Sequence, residues 1–277
     1  MIPAANIFAC IVTLCVSLIL PIAILIVYAV KNKGKGIWSA WLLGAAGFFV
    51  PQLLIRTPIL AWLSTKEGFV SFAQSHLMLY SVLLAFTAGL FEMAGRLAAA
   101  KLMRKNLTCK RALAAGFGHG SIEAILIVGV TYIANLVLIV MIQTGGFDAL
   151  IAQTAASGGD VSQMEATRAA LAQTSWVLFL AAGLERLLTL VCQAAMSMLV
   201  CYGVHTGHTV KGVLLCLGFH TLLDSIAGIS MLSGTVLSQA AAYGIIYAIL
   251  ALLALLALWI LKTIRARWQQ EEAYAAQ

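Results

Sequence analysis

Seven stretches of this chain are each long and apolar enough to cross a lipid bilayer: Asn6 to Val30, Ile37 to Leu63, Ser75 to Lys101, Ala112 to Ile142, Ser175 to Tyr202, Gly212 to Ser230 and Gln239 to Leu261. A backbone in hydrocarbon must satisfy its own N–H and C=O groups, so apolar runs of about 20 residues or more dictate helices. The expected fold class is all-α, a polytopic transmembrane helix bundle of about seven spans. Composition agrees: the chain is 62% hydrophobic and 10% charged, whereas a soluble domain carries roughly 25% charged residues. The fourth stretch is long enough to tilt or to project beyond the bilayer.

Charge placement orients the spans. Lys31, Lys33 and Lys35, then Lys101, Arg104, Lys105, Lys110 and Arg111, then Lys211, then Lys262, Arg265 and Arg267 fall in alternate gaps, while the other gaps hold Lys66 and Arg168. The positive-inside rule then predicts the N-terminus outside and the C-terminus inside, with an outer loop at 143–173 and a cytoplasmic tail at 262–277. The net charge of +7 is mainly this topology signal. No folded basic module with a nucleic-acid motif accompanies it, so no nucleic-acid partner is expected.

The first stretch is too long, and too bare of positive charge before it, for a cleaved signal peptide, and it reads as a retained helix. The cysteines at 10, 15, 109, 192, 201 and 216 form no CxxC pair, which predicts neither a disulfide framework nor a cysteine zinc site. Asn106-Leu107-Thr108 matches a glycosylation acceptor, but the topology puts it inside. The whole of 1–277 is expected to form a single transmembrane domain. Within the outer loop, Ser162 and Glu165 form a capping-box pattern ahead of an alanine-rich run, which predicts a short surface helix.

The apolar stretches still contain Arg56, Glu92, Arg96, His119, Glu123, Glu185, Arg186, His220 and Asp224. An ionisable group at that depth costs several kcal/mol unless it is paired or faces a cavity, so each is a candidate functional residue. Glu92, His119 and His220 lie roughly 12 to 13 Å in from the inner ends of their helices at 1.5 Å per residue. Glu123 and Asp224 lie one turn deeper, and Gln193 shares the layer; Glu185 and Arg186 fall nearer the outer surface. Glu92 with Arg96, His119 with Glu123, and His220 with Asp224 are all i, i+4 pairs, so both members of each pair share a helix face. Gly116, Gly118 and Gly120 would let neighbouring helices come close there.

Each element also has a plain structural reading. Glu92 and Arg96 could be an intrahelical ion pair, and a single buried histidine an interhelical hydrogen-bonder. Arg56, one turn beyond Pro51, would satisfy freed carbonyls or pair with an acid. His76, His205 and His208 stand at segment ends and read as interfacial. The shared depth is what favours a site: two histidines and three carboxylates are a nitrogen and oxygen donor set suited to zinc, with a group to spare as base.

At these residues the sequence resembles a known family. FEMAGR (91–96), GFGHGSIEA (116–124), LERLLTLVCQAAMSMLV (184–200) and GFHTLLDS (218–225) are similar, in order and spacing, to the four motifs of the YhfC-type intramembrane metalloproteases, within the CAAX-protease and bacteriocin-processing superfamily. The resemblance covers the core region 75–230. It implies an integral protein of the bacterial cytoplasmic membrane in which Glu92 and Arg96 are catalytic and zinc is the cofactor. His119, Glu123 and His220 would be the metal-binding residues, with Asp224 and Gln193 supporting them. Two features depart from the family pattern. The first motif has a single glutamate, flanked by Phe91 and Met93, and Gln193 stands where the pattern implies histidine. Either the site is built from His119, Glu123 and His220, or this member is catalytically impaired.

Three functions are compatible with the sequence. The leading one is a zinc-dependent endopeptidase that hydrolyses peptide bonds of membrane-embedded or membrane-associated substrates, with zinc activating water and a carboxylate taking its proton. A proton- or cation-coupled transporter fits the midplane acids and the seven spans, although no internal repeat accompanies them. A noncatalytic membrane scaffold of the same fold is the third.

Overall fold

The computed structural model describes residues 1–232 and 236–275. The last two residues of the expected cytoplasmic tail lie outside the described residues. The described chain is almost wholly helical and contains no strand among the described residues. In chain order the helices are α1 (Ala4–Lys31), α2 (Ile37–Leu63), α3 (Glu67–Ser75), α4 (Leu77–Leu102), α5 (Cys109–Gln143), α6 (Gly146–Ala156), α7 (Ser162–Gln173), α8 (Trp176–His205), α9 (Thr209–Ser225) and α10 (Gln239–Ala275). Seven of them, α1, α2, α4, α5, α8, α9 with its 3-10 extension to Ser230, and α10, are long and apolar enough to span a membrane. The expected all-α class and the seven candidate spans are thus present. The segment read as a tail continues α10 as helix to Ala275.

Three spans contain a wider, π-helical stretch: Cys15–Ile19 in α1, Phe49–Arg56 in α2 and Ala124–Gly129 in α5. Pro21 and Pro51 have no N–H to give to the preceding turn, and a widened turn is one way a helix absorbs that loss. In α2 the backbone N–H and the hydroxyl of Thr57 both donate to the Gln52 carbonyl, the hydroxyl at 2.9 Å, so a carbonyl at the irregular turn is satisfied twice. The third stretch begins directly after Glu123.

The chain groups into two compact units, Met1–Ala23 with Ala124–Leu187, and Ile24–Glu123 with Leu188–Gln277. In the first, Ala9, Cys10, Tyr132, Ile139, Leu171 and Phe179 form an apolar core. Side chains satisfy buried carbonyls around it. Asn6 Nδ2 donates to the carbonyls of Leu171 and Thr174, each at 2.9 Å, and Thr13 Oγ1 donates to that of Phe179 at 2.7 Å. The loop segment carries two helices, α6 and α7, where one was expected. Helix α7 begins at Ser162, but not through the Ser162 and Glu165 capping box. Asp160 instead accepts from the Ser162 backbone N–H at 2.8 Å and from its hydroxyl at 2.9 Å. Ser162 is itself the first helical residue, with Val161 at the N-cap, so its hydroxyl does not occupy the position a capping box requires.

The second unit is built on close approach of small residues. A Cβ placed on Gly44 would overlap the Ala115 carbonyl, one on Gly118 the Trp41 carbonyl, and one on Gly95 the Gly47 carbonyl. Helix α2 therefore lies against α5 and α4 at backbone contact, the mode of packing that small residues permit between apolar helices. The stretch Cys192 to Cys201 of α8 is buried almost throughout, packed in a core with Met93, Ala115, Cys216 and Phe219. A helix apolar on all its faces belongs inside. All the residues singled out by their common depth lie in this unit.

Candidate metal and catalytic site

Glu92 sits on the buried face of α4, with Arg96 one turn on. Gly89, one turn before, has no side chain, and a Cβ there would come within 3.3 Å of the His220 Cβ; α9 can therefore lie close enough to deliver its imidazole. His220 Nε2 is 2.8 Å from Glu92 Oε2. From α5, His119 Nε2 reaches the same oxygen at 2.9 Å, its ring held edge-on against Phe48 at a centroid distance of 5.4 Å. Glu92, Arg96, His119 and His220 are all buried. One carboxylate oxygen from a third helix thus joins two imidazoles.

A second line of contacts leaves the same cluster. Arg96 Nη2 stands 3.4 Å from Glu92 Oε2 and also donates to Gln193 Oε1 on α8, while Gln193 Nε2 donates to Glu123 Oε2 on α5. The amide is both acceptor and donor, so it lies between a cation and an anion with each end correctly turned. Gly120 makes this possible, because a Cβ at that position would come within 2.9 Å of the Gln193 Cβ. On α9, Asp224 Oδ2 lies 3.5 Å from His220 Nδ1.

Every residue expected in the common layer is thus in one connected set. Glu92, His119 and His220 meet directly; Arg96 and Gln193 lead from them to Glu123; Asp224 flanks His220. Arg56 is engaged elsewhere. Its Nη2 donates to the Leu84 carbonyl at 2.7 Å and its Nε to Thr87 Oγ1 at 3.2 Å, which fastens the irregular turn of α2 to α4. Glu185 and Arg186 pair with each other as sequence neighbours in the first unit. Of the end histidines, His205 stacks on Trp268 at 4.6 Å and lies 3.2 Å from Glu271. The donor of Glu123 and the acceptor of Arg96 could not be read from spacing, because both depend on which way one amide turns.

The donor chemistry fits a divalent metal of borderline softness. Asp224 beside Nδ1 of His220 favours the tautomer with its proton there, leaving the Nε2 lone pair toward Glu92. Lone pairs on two Nε2 atoms and a carboxylate oxygen at these distances repel one another unless a proton or a cation lies among them. Among the described residues no three His, Cys, Asp or Glu side chains already stand as a complete ligand group. What stands in place is a pair of imidazole nitrogens facing one Glu92 oxygen, with Glu123 held by Gln193.

Comparison with known proteins bears on the same region. The chain is 29% identical over 252 residues to the uncharacterized membrane protein YhfC of Bacillus subtilis (strain 168), covering 90% of this chain and 93% of that one. No solved structure matches. With its seven apolar helices and this membrane-protein relative, it is an integral membrane protein. The profile described as YhfC intramembrane metalloprotease matches residues 16–250, which include all four motifs. The chain belongs to the YhfC intramembrane metalloprotease family.

Proposed function

We propose that this protein is a zinc-dependent endopeptidase that cuts peptide bonds of membrane-embedded or membrane-associated substrates. The observation that carries the reading is the meeting of His119 and His220 on one Glu92 oxygen, at 2.9 and 2.8 Å, inside a membrane-spanning unit. His119 and His220 would hold the metal through Nε2, and Glu123, one turn after His119 on the same face, would supply the third ligand with the carboxylate oxygen that Gln193 does not hold. A zinc ion bound there would supply the Lewis acid that lowers the pKa of a water molecule and polarises the substrate carbonyl.

The remaining residues supply position and proton transfer. Glu92 Oε2 accepts the proton of the attacking water as its oxygen bonds to the carbonyl carbon, and returns that proton to the amide nitrogen as the C–N bond breaks. Arg96 orients Glu92, its Nη2 standing 3.4 Å from Oε2. Its Nε and Nη1 are buried without a partner among the described residues and can hold a substrate oxygen. Asp224 fixes the tautomer of His220. Gln193 holds Glu123 and Arg96 in register, which supports a positioning role for the residue at the departed motif position.

The test is cleavage of a single-span peptide reporter by protein reconstituted in vesicles. Wild type should cut it, and Glu92→Gln, which keeps the shape but cannot accept a proton, should lose all cleavage while keeping its metal. A fully active Glu92→Gln variant would remove the mechanism.

A further inference from the structure

At the end of the second unit where α5 begins and α10 leaves its apolar run, a groove of about 450 Å³ is lined by Leu113, Phe117, Met198 and Leu261 along one part and by Lys262, Arg265 and Gln269 along another. The lining changes character along the helix axis. On α10 the lining runs from apolar Leu261 through Lys262 and Arg265 to Gln269, about 12 Å of helix at 1.5 Å per residue, while α5 and α8 contribute Leu113, Phe117 and Met198. Such a gradient matches an amphiphile lying parallel to the helices, with its polar end at the cations.

The charges at that end are positive and available. Lys262 and Arg265 are i, i+3 neighbours on one face of α10, both exposed, and neither forms an ion pair among the described residues. Lys110 and Arg111 open α5 at the same end, and the Tyr28 hydroxyl, donating at 3.2 Å to the Lys110 carbonyl, ties the end of α1 to them. Tyr28 in turn meets the Phe117 ring edge-on at 6.0 Å, an aromatic pair of the kind found at membrane interfaces. Basic pockets between spans bind anionic lipid headgroups by this combination of charge and apolar wall.

We propose that this groove is a binding site for one anionic phospholipid of the surrounding bilayer. Its phosphate lies between Lys262 and Arg265, with Gln269 as a further donor, and an acyl chain lies against Leu113, Phe117, Met198 and Leu261. The site is separate from the Glu92 cluster and does not depend on catalysis.

Native mass spectrometry of the full chain in detergent, titrated with phosphatidylglycerol or phosphatidylcholine, tests this. Wild type should retain phosphatidylglycerol in preference, and Lys262→Ala/Arg265→Ala should bind it about tenfold more weakly. Leu113→Trp, which fills the apolar part without changing charge, should weaken it as well. Lys33→Ala/Lys35→Ala removes the same charge from the loop before α2 and should leave it unchanged. Equal retention by the Lys262 and Arg265 variant, or an equal loss in the Lys33 and Lys35 variant, would overturn the site. An unaffected Leu113→Trp, or equally strong binding of glycerol 3-phosphate, would show an anion held without a lipid chain and would overturn it too.

Discussion

His220 and Glu92 are 128 positions apart in the chain, yet His220 Nε2 lies 2.8 Å from Glu92 Oε2. The same oxygen also receives His119, so a single carboxylate fastens α5 and α9 to α4. Removing it should cost more than removing a surface charge. Glu92→Ala leaves two imidazoles and Arg96 buried without the carboxylate that joins them, and breaking a buried charged pair typically costs about 3–5 kcal/mol. Glu92→Gln keeps an oxygen in place and should unfold at a clearly higher temperature than Glu92→Ala, as read by thermal unfolding in detergent. Equal Tm values for the two would show that the oxygen is not holding the helices together.

The glycines of the motifs should divide by the space around them rather than by their membership of a motif. Gly118→Ala drives a methyl group into the Trp41 carbonyl, which belongs to backbone and cannot rotate away, whereas Gly218 has nothing within 4 Å of its would-be Cβ. The first should destabilise by at least the ~1–3 kcal/mol of ordinary overpacking. Gly218→Ala should stay near wild type. The yield of folded protein by fluorescence-detected size exclusion is the measurement.

Gln193→Ala should weaken the fold more than it weakens metal binding. It leaves Arg96 and Glu123 without the amide between them, a loss of about 1–3 kcal/mol for buried polar groups, but it removes no metal ligand of the proposed set. Thermal unfolding and metal analysis of one preparation separate the two effects. Complete loss of metal in this variant would mean that the ligands are assigned wrongly.

How much of this was open to sequence reading follows from what each feature depends on. The spans depend on length and apolarity, which are local, and all seven were legible. The grouping of Glu92, His119, His220, Gln193, Glu123 and Asp224 followed from i, i+4 spacing and depth, since helical rise converts position into height. Which oxygen meets which nitrogen was not legible, because spacing fixes height and face but not side-chain rotamer. The π-helical stretches also went unread, although Pro21 and Pro51 were signals for two of them. Helix α7 was expected for a reason that does not hold. Asp160, two residues ahead of Ser162, is the better acceptor because its carboxylate takes the backbone N–H and the hydroxyl together.

That start of α7 makes a pH-dependent element in the exposed loop. The bonds from Ser162 hold the Asp160 carboxyl below the usual carboxylate range. Its contribution to the helix end is therefore fully present above the ordinary carboxylate value and is lost as pH falls through the lowered one. Amide hydrogen exchange across 162–165 should quicken in Asp160→Ala at neutral pH. Wild-type protection there should weaken only under acid conditions.

Loop placement tests the proposed orientation of the spans. In a background without native cysteines, Ser157→Cys should react with a membrane-impermeant maleimide added outside intact cells. Labelling only after the membrane is opened would reverse the topology and with it the assignment of the basic gaps to the inside.

Metal content of the purified protein decides whether the Glu92 cluster is a metal centre. Elemental analysis of the wild type in detergent, after dialysis against a weak chelator, should find about one zinc per chain, as a three-ligand catalytic site requires. His119→Ala and His220→Ala should each lose it, and Glu92→Gln should keep it. A wild-type protein without stoichiometric metal, or histidine variants that hold as much as wild type, would contradict the account and leave the Glu92 cluster as a buried polar network that joins three helices.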